Sequence, residues 1–412
     1  MTIRSALRAS FCALAVAAAP AAWTQVRVAY IDPLSGPMGA TGEHGLRELE
    51  FAADEINARG GVLGQKFEIV PMDNKLSAQE SLILLKSAID QGIRYVSQGN
   101  GSSVAGALID AINKHNERNP DKTVVFLNYA AVDPDFTNDK CSFWHFRFDA
   151  NSDMKMEALT SHMKGEKGIR KVYLLNQDYS FGHQVAKAAR AMLTAKRPDV
   201  QIVGEELHPL ARVKDFAPYV AKIQASGADS VITGNWGNDL ALLVKAARDA
   251  NLNVNFYTYY AGTVGVPQAM GDAGIERVKV VSYWNANGAA PSFQPMFDAY
   301  KKKYGATSDP YSQALRSSVE FLVAAMKKAN STDPAKVAMA MEGMTIEGPF
   351  GPMQMRAEDH QLIQPLFIGT FVKAGDKLRH TAEGTTDYAF RLEQKLDGPA
   401  TARPTTCKMR RS

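Results

Sequence analysis

Ser102 and Ser103 close the run Gly99-Asn100-Gly101-Ser102-Ser103-Val104, which follows a short apolar stretch and opens one of helical periodicity. Glycines let a backbone approach a ligand closely, a serine hydroxyl caps a helix start, and the free N–H groups of a helix N-terminus attract an anion. The chemistry on offer is capture of a carboxylate. The spacing departs from the dinucleotide fingerprint G-x-G-x-x-G, because Val104 takes the third glycine's place and the preceding strand is not the first of its series. An ordinary serine-capped helix fits the same residues, and the two readings are compatible.

Motifs for making or breaking bonds are missing. The chain has no GxxxxGK[ST] loop, HExxH, CxxC or GxSxG, and its 8 histidines lack metal-ligand spacing. Asp133 and Asp135 flank Pro134 in what reads as a surface loop, where solvated turn carboxylates far outnumber acid/base pairs. No enzyme activity, metal or cofactor is therefore expected. Aromatic residues gather instead at the ends of expected strands, namely Tyr129, Tyr179, Phe181, Trp236, Tyr259, Tyr260, Tyr283 and Trp284. Taken singly each reads as packing. At equivalent places in two series, at the strand ends where open α/β sheets bind ligands, they point to a shared aromatic cleft.

The elements that must position these residues alternate in a parallel-sheet rhythm. Strands are expected at Val26 to Ile31, Phe67 to Met72, Arg94 to Ser97 and Thr123 to Leu127, separated by helices such as the one carrying Leu46, Leu49, Ala53 and Ile56 on one face. A second series begins near Ala150, with strands at Lys171 to Leu175, Val200 to Val203, Asp229 to Thr233, Val254 to Thr258 and Val278 to Ser282. A long helix pattern through Leu315, Val319, Leu322, Val323 and Met326 has no strand beside it and must pack on an existing lobe. Phe350 to Lys373 reads as irregular strands added at a sheet edge, and the last 20 or so residues as a tail.

At 412 residues the chain exceeds what one hydrophobic core serves, so two α/β lobes are expected. The net charge of +4 leaves no basic patch for nucleic acid. Arg4 and Arg8, the apolar run from Phe11 to Ala22 and the small residues Ala19, Pro20 and Ala21 have the order of a secretory signal peptide over residues 1–22, too short to span a bilayer. Cys141 and Cys407 then remain. Two readings stay open for them: a disulfide that ties the tail back to the first lobe in an oxidising compartment, or two separate buried thiols.

Together these features resemble the periplasmic binding proteins of branched-chain amino acid type, the exported receptors of ATP-driven importers. The resemblance runs from about Val26 to about Lys373. It is carried by Ser35-Gly36-Pro37, by Asp54-Glu55-Ile56-Asn57-Ala58-Arg59-Gly60-Gly61-Val62-Leu63-Gly64, by Ser102-Ser103 and by Asp133-Pro134-Asp135. Tyr179-Ser180-Phe181-Gly182, Asp215-Phe216 and Gly227-Ala228-Asp229-Ser230 extend it. It implies the type I periplasmic binding fold, two Rossmann-like lobes joined by three hinge crossovers. Lobe one is then expected over 26–149 and 285–345, lobe two over 150–284 and 346–395, and a tail over 396–412. It further implies a small-molecule ligand, an inner-membrane permease as partner, a periplasmic location and a monomer.

Within the resemblance, Ser102 matches the serine that holds the ligand carboxylate, and Ala130 and Ala131 the stretch whose backbone contributes beside it. Phe181 matches an aromatic over the ligand, Tyr311 a further aromatic wall, and Thr41, Asn235 and Trp236 other cleft positions. Two departures bear on the ligand. Amino-acid-binding members usually supply a Thr or Ser near Val132 and an acid near Tyr260 to hold the ammonium group; here one place is apolar and the other aromatic. Desolvating an unpartnered ammonium costs several kcal/mol, so an aromatic or other organic acid is the expected ligand. Branched-chain or other hydrophobic amino acids stay open as the alternative if Asp178 or Asp239 replaces the missing acid.

Overall fold

Val26, Val28, Ala29, Tyr30 and Ile31 are all buried, the near-continuous apolar run of a parallel strand covered on both faces. They form β1 (Gln25–Asp32). The computed structural model describes residues 25–305, 313–375, 378, 380–382 and 387–411; the expected signal peptide and Tyr311 lie outside the described residues.

After β1 come α1 (Gly39–Ala58), β2 (Lys66–Asp73), α2 (Ala78–Asp90), β3 (Tyr95–Gln98), α3 (Ser102–Arg118), β4 (Val125–Asn128) and β5 (His145–Arg147). The five strands make a parallel sheet in the order β2-β1-β3-β4-β5. α1 buries Leu49, Ala52, Ala53 and Ile56 on the sheet. Gly61 then turns the chain into β2 with φ of 74°, and a Cβ there would meet the Gln65 carbonyl at 2.0 Å. The glycine of the INxxGG segment is thus demanded by backbone approach.

The second series is α4 (Ser152–Met163), β6 (Lys171–Gln177), α5 (Ser180–Lys196), β7 (Gln201–His208), α6 (Ala217–Ser226), β8 (Ser230–Thr233), α7 (Gly237–Asp249), β9 (Asn255–Thr258), α8 (Val266–Met270) and β10 (Val278–Ser282). There follow α9 (Gln294–Tyr304), α10 (Gln313–Ala329), α11 (Pro334–Met341), β11 (Thr345–Gly348), β12 (Gly351–Met355), β13 (Leu362–Ile363), β14 (Leu366–Lys373), β15 (Tyr388–Leu396) and α12 (Gly398–Thr401). The second sheet runs β15-β14-β10-β9-β8-β6-β7, with β14 and β15 antiparallel. α10, the helix without a strand of its own, returns to the first lobe. Arg316 reaches Glu55 of α1 at 2.6 Å, and Leu315 packs beside Gly45.

Four features differ from the sequence reading. β5 is an unexpected fifth strand, three residues long with His145 and Arg147 in it, too short and polar to show periodicity. Residues 346–363, expected in the second lobe, fold with β11 into a separate three-stranded sheet, and Ser317 of α10 lies 3.5 Å from Met353. β15, within the residues expected in the second lobe, is an edge strand that no pattern announced, because its exposed outer positions are polar enough to look like coil. Asp133 is a buried cap rather than a solvated loop residue, its Oδ1 accepting from the Asp135 N–H at 3.1 Å.

The chain crosses between lobes after β5, β10 and β13. Two crossovers run side by side: Gln361 accepts from Arg147 Nε at 2.7 Å and donates to the Asp149 carbonyl at 2.9 Å, and Gln364 donates to the Phe148 carbonyl at 2.8 Å. Beyond α12 the chain reaches back to the first lobe. Thr405 donates to the Thr137 carbonyl at 2.6 Å, and Cys407 is disulfide-bonded to Cys141.

Candidate binding cleft

β1 and β3 end side by side, and the chain leaving β3 must turn into α3 over the end of β1. Asp32, the last residue of β1, governs that turn. Its carboxylate accepts from the Asn100 N–H at 3.0 Å, the Gly99 N–H at 3.3 Å and the Tyr129 hydroxyl at 2.6 Å. Asn100 in turn donates to the Tyr129 oxygen at 2.7 Å. Burial pushes the Asp32 carboxyl up to about 6 despite these donors. A Cβ on Gly99 would meet the Tyr129 ring at 2.7 Å and the Ala130 nitrogen at 2.8 Å. The loop so held presents the first turn of α3 to the cleft. Ser102 is buried there, and its hydroxyl has no protein partner among the described residues.

The facing wall comes from the second lobe. Tyr179 precedes α5 and Trp236 precedes α7, and Trp236 Nε1 donates to the Tyr179 hydroxyl at 2.9 Å. Phe181 stands edge-on to Tyr259 at 5.7 Å and to Tyr260 at 6.0 Å between ring centres. The lobes touch at the rim: a Cβ on Gly237 would fall 2.7 Å from the Met38 sulfur, and Gln184 donates to Asp135 at 3.4 Å. Between them lies a space of about 420 Å3 lined by Thr41, Ser102, Tyr129, Ala130, Ala131, Tyr179, Phe181, Trp236 and Tyr260, together with Gly99, Asn100, Gly101, Val132 and Thr263.

Not every expected residue faces this space. Ser103 points outward from α3 and is exposed. Asn235 is buried with its Oδ1 at 3.1 Å from His208 Nε2 and does not line the cleft. Tyr259 donates to the Ser152 carbonyl at 2.9 Å and borders a neighbouring cavity, as do Tyr283 and Trp284. The Ala130 and Ala131 N–H groups, at 3.3 and 2.8 Å, are turned to Asn128 Oδ1. The two acids weighed as replacements are engaged elsewhere. Asp178 pairs with His183 at 2.9 Å on the surface, and Asp239 accepts from Gln177 and the Ala211 N–H.

Sequence reasoning missed Asp32 and a buried ion pair beneath Tyr260. Lys155 of α4 donates to Asp149 Oδ2 at 2.6 Å, and the Tyr260 hydroxyl lies 3.5 Å from the same oxygen. Burial lowers the Lys155 ammonium and raises the Asp149 carboxyl to about 6. A lone lysine in a helix and an aspartate in a crossover carry no shared spacing. Thr263 was also missed, in a turn with no pattern of its own.

The arrangement of two α/β lobes with a cleft between them has counterparts. The profile of a periplasmic binding protein family matches residues 25–376. Leu/Ile/Val-binding protein homolog 4 of Brucella abortus is 33% identical, with all of both chains covered. The closed conformation of a leucine-, isoleucine-, valine-, threonine- and alanine-binding protein from Brucella ovis superposes with a TM-score of 0.84 at 31% identity, covering 94% of this chain and 100% of that one. A solute-binding protein from R. palustris in complex with 4-hydroxybenzoate shares the fold, with a TM-score of 0.78 at 20% identity, covering 91% of this chain and 98% of that one. Extent and identity together make this chain a member of the periplasmic binding proteins, in their type I, Leu/Ile/Val-binding-protein-like branch.

Proposed function

We propose that this ABC-importer receptor captures a small carboxylate-bearing ligand lacking an α-ammonium group, with an aromatic acid as the best fit, and performs no chemistry on it. The observation that carries this reading is Tyr260. It stands where the resemblance puts an acid that holds an ammonium group, and Asp149, a carboxylate beneath it among the described residues, is bonded to Lys155. The carboxylate would sit at Ser102 and the first turn of α3, and the ring against Phe181, Tyr179 and Trp236. The crossovers at the ends of β5, β10 and β13 would serve as the hinge, and the closed form would be read by a permease in the inner membrane. Export by the N-terminal segment and a monomeric state belong to the same proposal.

A second reading, capture of leucine, isoleucine or valine, is favoured by the names of the Brucella relatives. A thermal-shift screen separates the two. A ligand at a hundredfold excess over its Kd adds about 2.7 kcal/mol to stability. Benzoates or cinnamates should raise the melting temperature; a rise with leucine or valine and none with organic acids rejects the first reading for the second.

A further inference from the structure

Behind Tyr260 the cleft continues. Ala130, Tyr260 and Thr263 border both the space beside Ser102 and a second, partly open cavity that extends toward Tyr283. Among the described residues lining that cavity, Lys155 carries the single formal charge, and its side chain is only 1% exposed. Its ammonium donates to Asp149 at 2.6 Å and to the Tyr260 hydroxyl at 3.4 Å. It also lies 4.5 Å from the centre of the Tyr260 ring and 5.4 Å from that of Tyr283. An ammonium has three N–H donors, so these two acceptors leave one donor for the cavity that Lys155 borders.

We infer that Lys155 is a second anchoring residue, and that the ligand is an elongated aromatic acid whose far end carries another anionic oxygen. The inference rests on the reading of Ser102 as the carboxylate seat. One carboxylate would lie at Ser102, the ring would pass Tyr260, and the second anionic oxygen would accept from Lys155 between the rings of Tyr260 and Tyr283. A charge-assisted hydrogen bond in a cavity walled by aromatic rings is strong. A purely apolar far end would cover the ammonium and leave its third donor unpaired, which is costly. The cavity therefore selects by the chemistry of the ligand's second end.

Calorimetric titration of the purified protein with benzoate, terephthalate, cinnamate and 4-carboxycinnamate tests this. At least one diacid should bind about tenfold tighter than its monoacid. In Lys155→Met/Asp149→Asn, which removes both buried charges and leaves neither unpaired, that advantage should fall below about threefold while monoacid affinity holds. Lys155→Gln, which keeps a donor for Asp149, should show the same loss and serves if the double variant does not fold. Monoacids that match or exceed both diacids on the unmodified protein overturn the inference, as does a diacid advantage that survives in the variants. If leucine binds and no aromatic acid does, the ligand class proposed above fails and this inference falls with it, a result distinct from either of the others.

Discussion

The Tyr129 hydroxyl donates to the Asp32 carboxylate at 2.6 Å, joining the end of β4 to the end of β1 underneath the loop that leads into α3. With the Asn100 and Gly99 N–H groups on the same carboxylate, this bond fixes where Ser102 stands, although Asp32 itself does not line the cleft.

The Asp32 carboxyl, raised from 3.8 to about 6 by burial, makes stability depend on pH. A raised value means that the folded protein holds this proton more tightly than the unfolded chain does. The group's stabilising contribution is present below about pH 4 and is lost as pH rises through about 6, on the order of 3 kcal/mol in all. Asp32→Asn removes that titration. Urea melts at pH 4 and pH 7 should show the stability difference between the two proteins moving in the variant's favour by up to about 3 kcal/mol as pH rises. A pH-independent difference would mean that Asp32 does not titrate in this window.

Ser102→Ala deletes a hydroxyl that has no protein partner among the described residues, so the ligand-free melting temperature should stay nearly constant. Binding of the carboxylate ligand should weaken about tenfold or more, the worth of one hydrogen bond to a charged group. Equal affinity in calorimetry would take Ser102 out of the site.

Gly99→Ala puts a methyl group 2.7 Å from the Tyr129 ring and 2.8 Å from the Ala130 nitrogen. Both neighbours are held, the ring by Asp32 and the nitrogen by Asn128. The loop must give instead, so a loss of about 1–3 kcal/mol in chemical denaturation is expected, with weaker ligand binding. A neutral outcome would show that the loop yields without cost.

The Cys141–Cys407 bond spans 266 residues and ties the tail to the first lobe, away from the cleft-lining residues. The double variant Cys141→Ser/Cys407→Ser should lose about 2–4 kcal/mol while keeping its ligand affinity within about twofold. A loss of affinity with no loss of stability would give the disulfide a role in closure.

Much of this molecule was legible along the chain because a buried parallel strand writes its apolar run locally. The two lobes, the strands up to Ser282 and most of the aromatic wall follow from such runs and from the glycines between them. β5 and β15 were illegible for the opposite reason. Three residues carry no period, and an edge strand with one wet face looks like coil. The folding of residues 346–363 into a sheet of their own brought them beside α10, a partner distant in sequence.

Residue types and order by themselves determined the fold family, the helix that opens at the Gly-Ser-Ser run and the lack of an acid at position 260. Tertiary structure alone decided which of two adjacent serines faces inward, since about 100° of helical rotation separates Ser102 from Ser103. It also brought Asp32 under the Gly99 loop and Lys155 beneath Tyr260. Those pairings join residues 68 and 105 positions apart, and at such distances only the packing of whole elements chooses the neighbours.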